Sequence, residues 1–295
     1  VINHVDEPVC EFWWSGGGRL NWTMKAMASA AHVNGRPVVG AEAFTSNRRE
    51  RWTGHPASIK ARGDRIFCEG VNRFVIHRYA MQPWAEDRRP GVSMGPYGLH
   101  YERTQTWWEE SKAWHQYLAR CQYMLRQGLF VADVLSLCPE EPMQRFNPVG
   151  LAGYDYDGIG PKAFLDKASV EKGLIVLPSG MKYRILLLSG TNRKNMSVPM
   201  LRKIRKLVED GAVILGSPPE ATPGLADYPG ADAEVKKIAA ELWGKDETVT
   251  ERTVGKGRVF HGGKPEDILA KLGVMRDFEA DRNIHWIHRD VNGTD

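Results

Sequence analysis

The chain has 295 residues, 42% of them hydrophobic, and its 40 basic and 36 acidic side chains leave a formal net charge of +4. This length suffices for two ordinary domains or one large barrel, and the hydrophobic fraction can fill a core. The small, interspersed charge excludes the basic footprint of a nucleic-acid-binding protein. No apolar stretch approaches the roughly 20 residues that cross a bilayer, and no signal-peptide pattern is present. The sequence therefore predicts a soluble globular protein without a membrane partner.

Cysteine and tryptophan usage add two constraints. The four cysteines are scattered and form no CxxC pair, which argues against a zinc site and against a disulfide framework. Eight of the ten tryptophans lie in the first 114 residues: Trp13, Trp14, Trp22, Trp52, Trp84, Trp107, Trp108 and Trp114. The last three have helical spacing, which favours a core role over a binding platform. The two parts of the chain therefore differ in composition.

Helices and strands alternate in the first part of the chain. After a short strand at 10–14, the pattern predicts helices over 20–35, 55–70 and 101–128 and strands over 36–44 and 71–79. This order implies a parallel sheet with right-handed crossovers. A complete (β/α)8 barrel needs roughly 250 residues, so the pattern predicts only part of a barrel here.

A second α/β unit follows. The pattern predicts strands over 129–138, 181–190, 212–217 and 257–263 and helices over 198–211 and 232–244. Leu201, Ile204, Leu207 and Val208 share one face of the first of these helices. The arrangement predicts a flavodoxin-like, doubly wound domain. Beyond about residue 280 the sequence turns strand-like and stops, as expected at the start of a further domain.

A short apolar run ends in a carboxylate in "PVVGAEAFTS", residues 37–46. Functional side chains of parallel α/β sheets lie at the carboxyl ends of strands, which is where Glu42 stands. A charged group there must be paired or used, because an unpaired buried carboxylate is costly. Two interpretations stay equally open. Glu42 is a catalytic group, or it is bonded to a neighbouring arginine or to a helix N-terminus.

Aromatic and polar side chains follow the next strand. It ends at His77, and the loop after it carries Trp84 and runs on to His100. Such a mixture suits a sugar ring, which offers apolar C–H faces and hydroxyl edges. Each of these side chains, taken alone, is better explained by packing within the loop.

Three other reactive side chains are placed less favourably. Glu69 precedes a strand rather than ending it, so it is expected at the wrong face of a barrel. Glu102 precedes the long helix and is also explained as an acid at a helix start. Cys138 ends a strand of the second unit, but the proline-containing run after it is incompatible with a nucleophile elbow.

Four long stretches, taken in chain order, resemble glycoside hydrolase family 106, the α-L-rhamnosidases: "HVNGRPVVGAEAFTS", "FCEGVNRFVIHRYAMQPW", "GVSMGPYGLHYERTQTWWEESKAWHQYLARCQYMLRQGLFVADVL" and "LIVLPSGMKYRILLLSG". The resemblance implies a large multidomain enzyme with a (β/α)8 barrel, a flavodoxin-like domain and β-sandwich domains. It also implies inverting hydrolysis of terminal α-L-rhamnosides by glutamates, with calcium in the active site.

The resemblance implies a domain division and a set of site residues. Residues 1–128 would be the C-terminal part of the catalytic barrel, 129–275 the flavodoxin-like domain and 276–295 the start of a truncated β-sandwich. Glu42 would stand on the seventh barrel strand as a catalytic carboxylate, and Glu69, within "CEGVNR", would be a second candidate for the base. His77, Trp84 and His100 are the expected substrate contacts. The general acid is expected outside this chain, and the calcium ligands are not identified.

Other functions stay open. A β-galactosidase-like hydrolase also combines a barrel with a flavodoxin-like domain, and a non-catalytic carbohydrate-binding or oligomerisation module would explain the second unit. The partner is expected to be an oligosaccharide or a rhamnoside. A secreted or periplasmic location would suit the full-length protein, whereas the sequence itself marks no compartment and no oligomeric state.

Overall fold

The computed structural model describes residues 4–14, 21–47, 52–84, 88–89, 91–92, 97–141, 146, 149–188, 194–246 and 248–294. Two compact units are present: the first comprises 1–31, 36–128 and 284–295, and the second comprises 32–35 and 129–283. Both contain parallel strands and helices, so the predicted α/β class is confirmed. No helix in the described part of the chain is long and apolar enough to cross a membrane.

The first unit contains a three-stranded sheet and its helices. Its elements are β1 (Val9–Trp13), α1 (Asn21–Asn34), β2 (Gly40–Thr45), α2 (Pro56–Cys68), β3 (Arg73–Ile76), a 3-10 turn (Glu109–Ser111) and α3 (Lys112–Met124). The strands lie in the order β1-β2-β3 and are parallel. This is the arrangement expected for consecutive strands of a barrel.

Aromatic rings fill the core between this sheet and its helices. Phe44 packs edge-on against Phe12 and Phe74, with centroid distances of 4.9 and 5.4 Å. Gly63 of α2 makes room for these rings, because a Cβ at that position would lie 3.1 Å from the Phe44 ring. The core continues to Trp114 of α3, which is buried as predicted, while Trp107 and Trp108 pack against it half-buried.

The helix predicted over 101–128 was too long. Only Lys112–Met124 is α-helical, preceded by the short 3-10 turn. Upstream, the Glu102 carboxylate accepts hydrogen bonds from the backbone N–H and the hydroxyl of Thr104. Such local bonds compete with helical hydrogen bonds, so they hold this segment in turns.

The second unit is larger. Its strands are β4 (Leu129–Phe130), β5 (Val134–Leu137), β6 (Tyr156–Ile159), β7 (Ser169–Glu171), β8 (Leu174–Val176), β9 (Lys182–Tyr183), β10 (Ile185–Leu188), β11 (Val213–Leu215), β12 (Glu251–Val254) and β13 (Gly257–Phe260). Its helices are α4 (Pro161–Lys167), α5 (Val198–Asp210), α6 (Ala231–Trp243) and α7 (Pro265–Lys271). The main sheet has the order β12-β13-β11-β10-β5-β6, in which only β12 is antiparallel to its neighbour.

The order of the parallel strands determines how this sheet is wound. Numbered by their position along the chain, they follow the order 2-1-3-4-5, which is the order of flavodoxin-like doubly wound sheets. In such sheets ligands usually bind at the carboxyl ends of two neighbouring strands, the first and the third along the chain. Here these strands are β5 and β10.

Two apolar runs, each predicted to form one strand, contain two strands each. The run at 129–138 contains β4 and β5, and the run at 181–190 contains β9 and β10. β9 pairs with β8 in an antiparallel sheet, whereas β10 pairs with β5 in the main sheet. The chain changes sheets at Arg184, whose N–H donates to the Asp133 carbonyl at 2.7 Å. An apolar run alone does not reveal such a change of partner.

The last segment contains little regular structure. Within its described residues, 276–294 carries one two-residue strand, β14 (Arg289–Asp290). Residues 284–294 belong to the first unit. That 276–295 begins a β-sandwich stays a prediction.

Candidate functional site

Two carboxylates stand side by side on the first sheet. Glu42 of β2 pairs in register with Glu11 of β1 on one side and with Val75 of β3 on the other. Residues paired across parallel strands project from the same face of the sheet. Sequence reasoning singled out Glu42 but not Glu11, although the strand "CEFWW" carries the same kind of signal, a carboxylate within an apolar run.

A bulge in β2 brings a hydroxyl to Glu42. Glu11 pairs with Glu42 and Trp13 pairs with Thr45, so β2 contains one residue more than β1 between these pairs. Phe44 adopts a φ of 64° at this point, and its ring packs into the helix-side core. Thr45 is thereby aligned with Trp13, and its hydroxyl donates a 2.6 Å hydrogen bond to Glu42 Oε1.

His77 lies directly after β3 and faces the same carboxylate. Its Nδ1 is 4.0 Å from Glu42 Oε1, and its side chain is 17% exposed, compared with 41% for Glu42. This nitrogen is buried and has no hydrogen-bond partner among the described residues. The structure therefore brings Glu42 and His77 together. Glu11, Trp13, Glu42, Thr45 and His77 are called the carboxylate cluster below.

The loop at 97–101 closes over the end of β3. Leu99 N–H donates to the His77 carbonyl at 2.8 Å, and Gly98 N–H donates to the Ser46 carbonyl at 3.0 Å. A Cβ on Gly98 would lie 2.7 Å from His77 Nδ1, and its φ is +98°, so glycine is needed for this approach. The Tyr97 ring lies 6.1 Å from the Trp13 ring and adds an aromatic surface near the cluster.

Two of the predicted substrate contacts have neighbours outside the cluster. The His100 ring stacks on the Trp52 ring at a centroid distance of 3.8 Å. The Trp84 ring is 45% exposed and lies beneath the Arg88 guanidinium at 5.6 Å. Both residues follow β3 in the chain, at its carboxyl side, but neither has a described contact with Glu42.

The remaining acids have other environments. Glu69 caps the C-terminus of α2, on the amino side of β3, so the structure does not bring it to Glu42. It interacts electrostatically with Arg62 of the same helix. Glu102 is fully buried and accepts three hydrogen bonds, one from Gln82 Nε2 and two from Thr104. Glu102 therefore has the surroundings of a structural carboxylate.

The described residues do not form a complete metal site. No group of three or more histidine, cysteine, aspartate or glutamate side chains in this part of the chain could hold a metal ion. Calcium takes six to eight oxygen ligands, whereas the cluster offers the carboxylates of Glu11 and Glu42. The fit to the expected calcium ion is incomplete.

A cavity of about 480 Å³ lies elsewhere in the first unit, along the 3-10 turn and α3. His115 lines it and has both ring nitrogens bonded, one to Tyr101 Oη at 2.6 Å and one to Ser111 Oγ at 3.3 Å. None of the predicted site residues lines this cavity.

The expected ligand position of the second unit is filled by a side chain. Glu140, in the loop after β5, accepts hydrogen bonds at 2.7 Å from the backbone N–H and the hydroxyl of Ser197, which caps α5. A carboxylate at a helix N-terminus takes the place that a bound phosphate would occupy. This geometry disfavours a nucleotide site there.

Comparisons with known proteins identify the family. Glycoside hydrolase family 106, described as alpha-L-rhamnosidase, matches residues 1–295. A protein of Formosa agariphila named "Putative beta-glucuronidase" is 39% identical over 293 residues, which are 98% of this chain and 24% of that protein. The structure of a rhamnosidase from Novosphingobium sp. PP1Y is 30% identical and has a TM-score of 0.88 over 98% of this chain and 28% of its own.

This chain thus spans about a quarter of each of these relatives. The family match and the structural match extend over both units of the chain. They confirm the resemblance to this family that was inferred from sequence stretches such as those around Glu42 and His77. The chain belongs to glycoside hydrolase family 106, the family of the α-L-rhamnosidases.

Proposed function

We propose that this protein, in its full natural length, releases terminal α-L-rhamnose from glycans by inverting hydrolysis, with Glu42 as the general base. One observation carries the proposal. Glu42 lies on the central strand of a parallel sheet, partly exposed, beside the second carboxylate of Glu11. The attacking water can reach such a partly exposed carboxylate and transfer a proton to it.

His77 is proposed as a substrate contact, because it lies directly after β3 with its Nδ1 4.0 Å from Glu42 Oε1. Its side chain is 17% exposed, and the sugar would meet this exposed part of the ring rather than the buried Nδ1. Trp84 and His100 remain proposed substrate contacts, and the apolar faces of Trp13 and Tyr97 would suit the C–H face of a sugar.

The general acid is proposed to come from a part of the full-length protein other than this sheet. An inverting pair needs about 6.5–9.5 Å between its carboxyl groups to admit water. Neighbouring strands are only about 4.8 Å apart, which favours a binding role for Glu11 over an acid role. Glu69 stays a weaker proposal for the base, because it stands at the opposite end of its strand.

Calcium is proposed as a cofactor of the full-length enzyme, and none of its ligands is assigned to this chain. A calcium ion would hold sugar hydroxyls through its oxygen coordination. Chelation with EDTA should then lower rhamnose release, and added Ca²⁺ should restore it. Full activity after thorough chelation would remove calcium from the proposal without affecting the role of Glu42.

The main test uses the full-length protein and its Glu42→Gln variant, with an aryl α-L-rhamnoside as substrate. We expect at least about a thousandfold loss of kcat, or roughly 4 kcal/mol of barrier, with an unchanged circular dichroism spectrum. Glu171→Gln, at an exposed position of β7, is the matched control and should keep full activity. Near-normal turnover by Glu42→Gln would contradict the assignment and move attention to Glu69.

A second candidate function is β-glucuronide hydrolysis, favoured by the 39% identity to the Formosa protein. Aryl β-D-glucuronide and β-D-galactoside assayed in parallel separate these activities from rhamnose release. Release of glucuronate but not rhamnose would replace the substrate and leave the carboxylate site in place. Binding of rhamnosides without any turnover would instead favour a non-catalytic carbohydrate-binding module.

A further inference from the structure

The two carboxylates of the cluster each accept a hydrogen bond from a side chain further along the same strand. Glu42 accepts a hydrogen bond at Oε1 from Thr45, three residues further along β2. Glu11 accepts one at Oε1 from the indole N–H of Trp13, two residues further along β1. Glu11 is in register with Glu42, and Trp13 is in register with Thr45. Each carboxylate therefore has its own donor at the same level of the sheet.

The bulge is what makes this arrangement possible on β2. Side chains of a regular strand alternate between its two faces, so a residue three positions after Glu42 would point to the opposite face. The extra residue Phe44 reverses this alternation. Thr45 consequently returns to the face of Glu42, whereas a regular strand would direct its hydroxyl into the helix-side core.

The two oxygen atoms of Glu42 differ in consequence. Oε1 is the atom bonded to Thr45 and the one nearer to His77. Oε2 has no hydrogen bond within the described part of the chain, and the side chain is 41% exposed. A fixed Oε1 restricts rotation of the carboxylate and leaves Oε2 for an incoming proton.

We infer that Thr45 is a positioning residue, which orients the Glu42 carboxylate through Oε1 and thereby directs Oε2 toward the attacking water. The inference rests on the proposed function, because it specifies how Glu42 is held for proton transfer. Thr45 touches neither substrate nor water in this role. Misplacement of a catalytic group by a fraction of an ångström is costly in rate, since proton transfer requires hydrogen-bond geometry.

The experiment compares Thr45→Val, Thr45→Ser and Thr45→Ala in the full-length protein. Valine keeps the shape but removes the hydroxyl, and we expect kcat for the aryl rhamnoside to fall about 10- to 100-fold with KM within about threefold. Serine keeps the hydroxyl and should restore kcat to within about threefold of the wild type. Thr250→Val, at an exposed position of the second unit, should be indistinguishable from the wild type.

Recovery in Thr45→Ser separates positioning from a merely structural contribution. Serine keeps the hydroxyl but loses the methyl group, whereas valine keeps the shape but loses the hydroxyl. A packing defect would therefore lower kcat more in Thr45→Ser, and a lost hydrogen bond to Glu42 would lower it more in Thr45→Val. If Thr45→Val does not fold, the contrast between Thr45→Ala and Thr45→Ser provides the same test of the hydroxyl.

The outcomes distinguish this inference from the function on which it rests. Wild-type kcat for Thr45→Val, with Glu42→Gln inactive, would overturn the positioning role and leave the proposed function standing. A loss of activity in Thr45→Ser as large as in Thr45→Val would also overturn it, because the hydroxyl would then be irrelevant. Full activity of Glu42→Gln would overturn both.

Discussion

Cys138 lies directly after β5, at the carboxyl end of a strand in the main sheet of the second unit, where a nucleophile would be well placed. Burial raises the pKa of its thiol to about 11, because the protein interior disfavours the thiolate. At pH 8 only about one such thiol in a thousand would be ionised. The geometry and the chemistry therefore agree with the sequence argument against a nucleophilic cysteine at this position.

We expect iodoacetamide to alkylate Cys138 at least about a hundredfold more slowly than a free cysteine thiol at pH 8. Peptide mass spectrometry over a time course measures the rate at each cysteine. The same reaction in concentrated urea is the control, and there Cys138 should react like any exposed thiol. Modification of native Cys138 at the free-thiol rate would contradict the assigned burial.

At the residue scale, the sequence predicted part of the cluster. Glu42 and His77 were singled out because both lie near the carboxyl ends of predicted parallel strands, and the structure brings them within 4.0 Å. The part played by Thr45 was not foreseeable, because it depends on one extra residue in β2 relative to β1. Strand register and bulges arise from pairing between distant segments, which composition and periodicity do not specify.

The contact between α2 and β2 depends on the absence of a side chain at Gly63. Its neighbours are the rings of Phe44 and Phe74, 3.1 and 3.4 Å from where a Cβ would stand. The bulge turns Phe44 toward α2, so the same residue shapes both the carboxylate cluster and the helix packing. A larger residue at position 63 should therefore disturb both the carboxylate cluster and the packing of α2 on β2.

We expect Gly63→Val to lower the free energy of unfolding by about 1–3 kcal/mol, because overpacking forces the rings to shift. Urea titration of the 295-residue chain followed by tryptophan fluorescence measures the loss, since eight of the ten tryptophans lie in the first 114 residues. Ala61→Val is the matched control on the exposed side of the same helix and should cost less than about 1 kcal/mol. Equal losses for the two variants would refute the packing argument.

At the element scale, amphipathic helices were the most predictable features. The helix predicted over 198–211 occurs as Val198–Asp210, and its buried face includes Leu201, Ile204, Leu207 and Val208 as predicted. Apolar runs were less informative, since the run at 181–190 divides between two sheets. Periodicity reports which face of an element is buried, whereas the identity of its partner depends on the whole fold.

At the scale of the whole molecule, the strands in the main sheet of the second unit are buried to different extents. Every residue of β5 and β11 is buried, and three of the four residues of β10 are buried. The antiparallel edge strand β12 is half-buried to exposed along its length. Strands covered on both faces and paired on both edges open only with the cooperative unfolding of the sheet, whereas an edge strand can open locally.

Amide hydrogen exchange should therefore be faster in β12 than in the central strands of the sheet β12-β13-β11-β10-β5-β6. We expect the amides of β5, β10 and β11 to exchange at least about a hundredfold more slowly than those of β12, because this half-buried to exposed edge strand can open without breaking the sheet. Mass spectrometry of overlapping peptides measures both sets in one experiment, and the exposed segment 223–230 serves as the fast reference. Equal protection of β12 and β10 would mean that another part of the full-length protein covers this edge, or that the sheet order is wrong. Repeating the measurement with the 295-residue chain alone distinguishes these two explanations, since only a covering segment would be lost from the shorter chain.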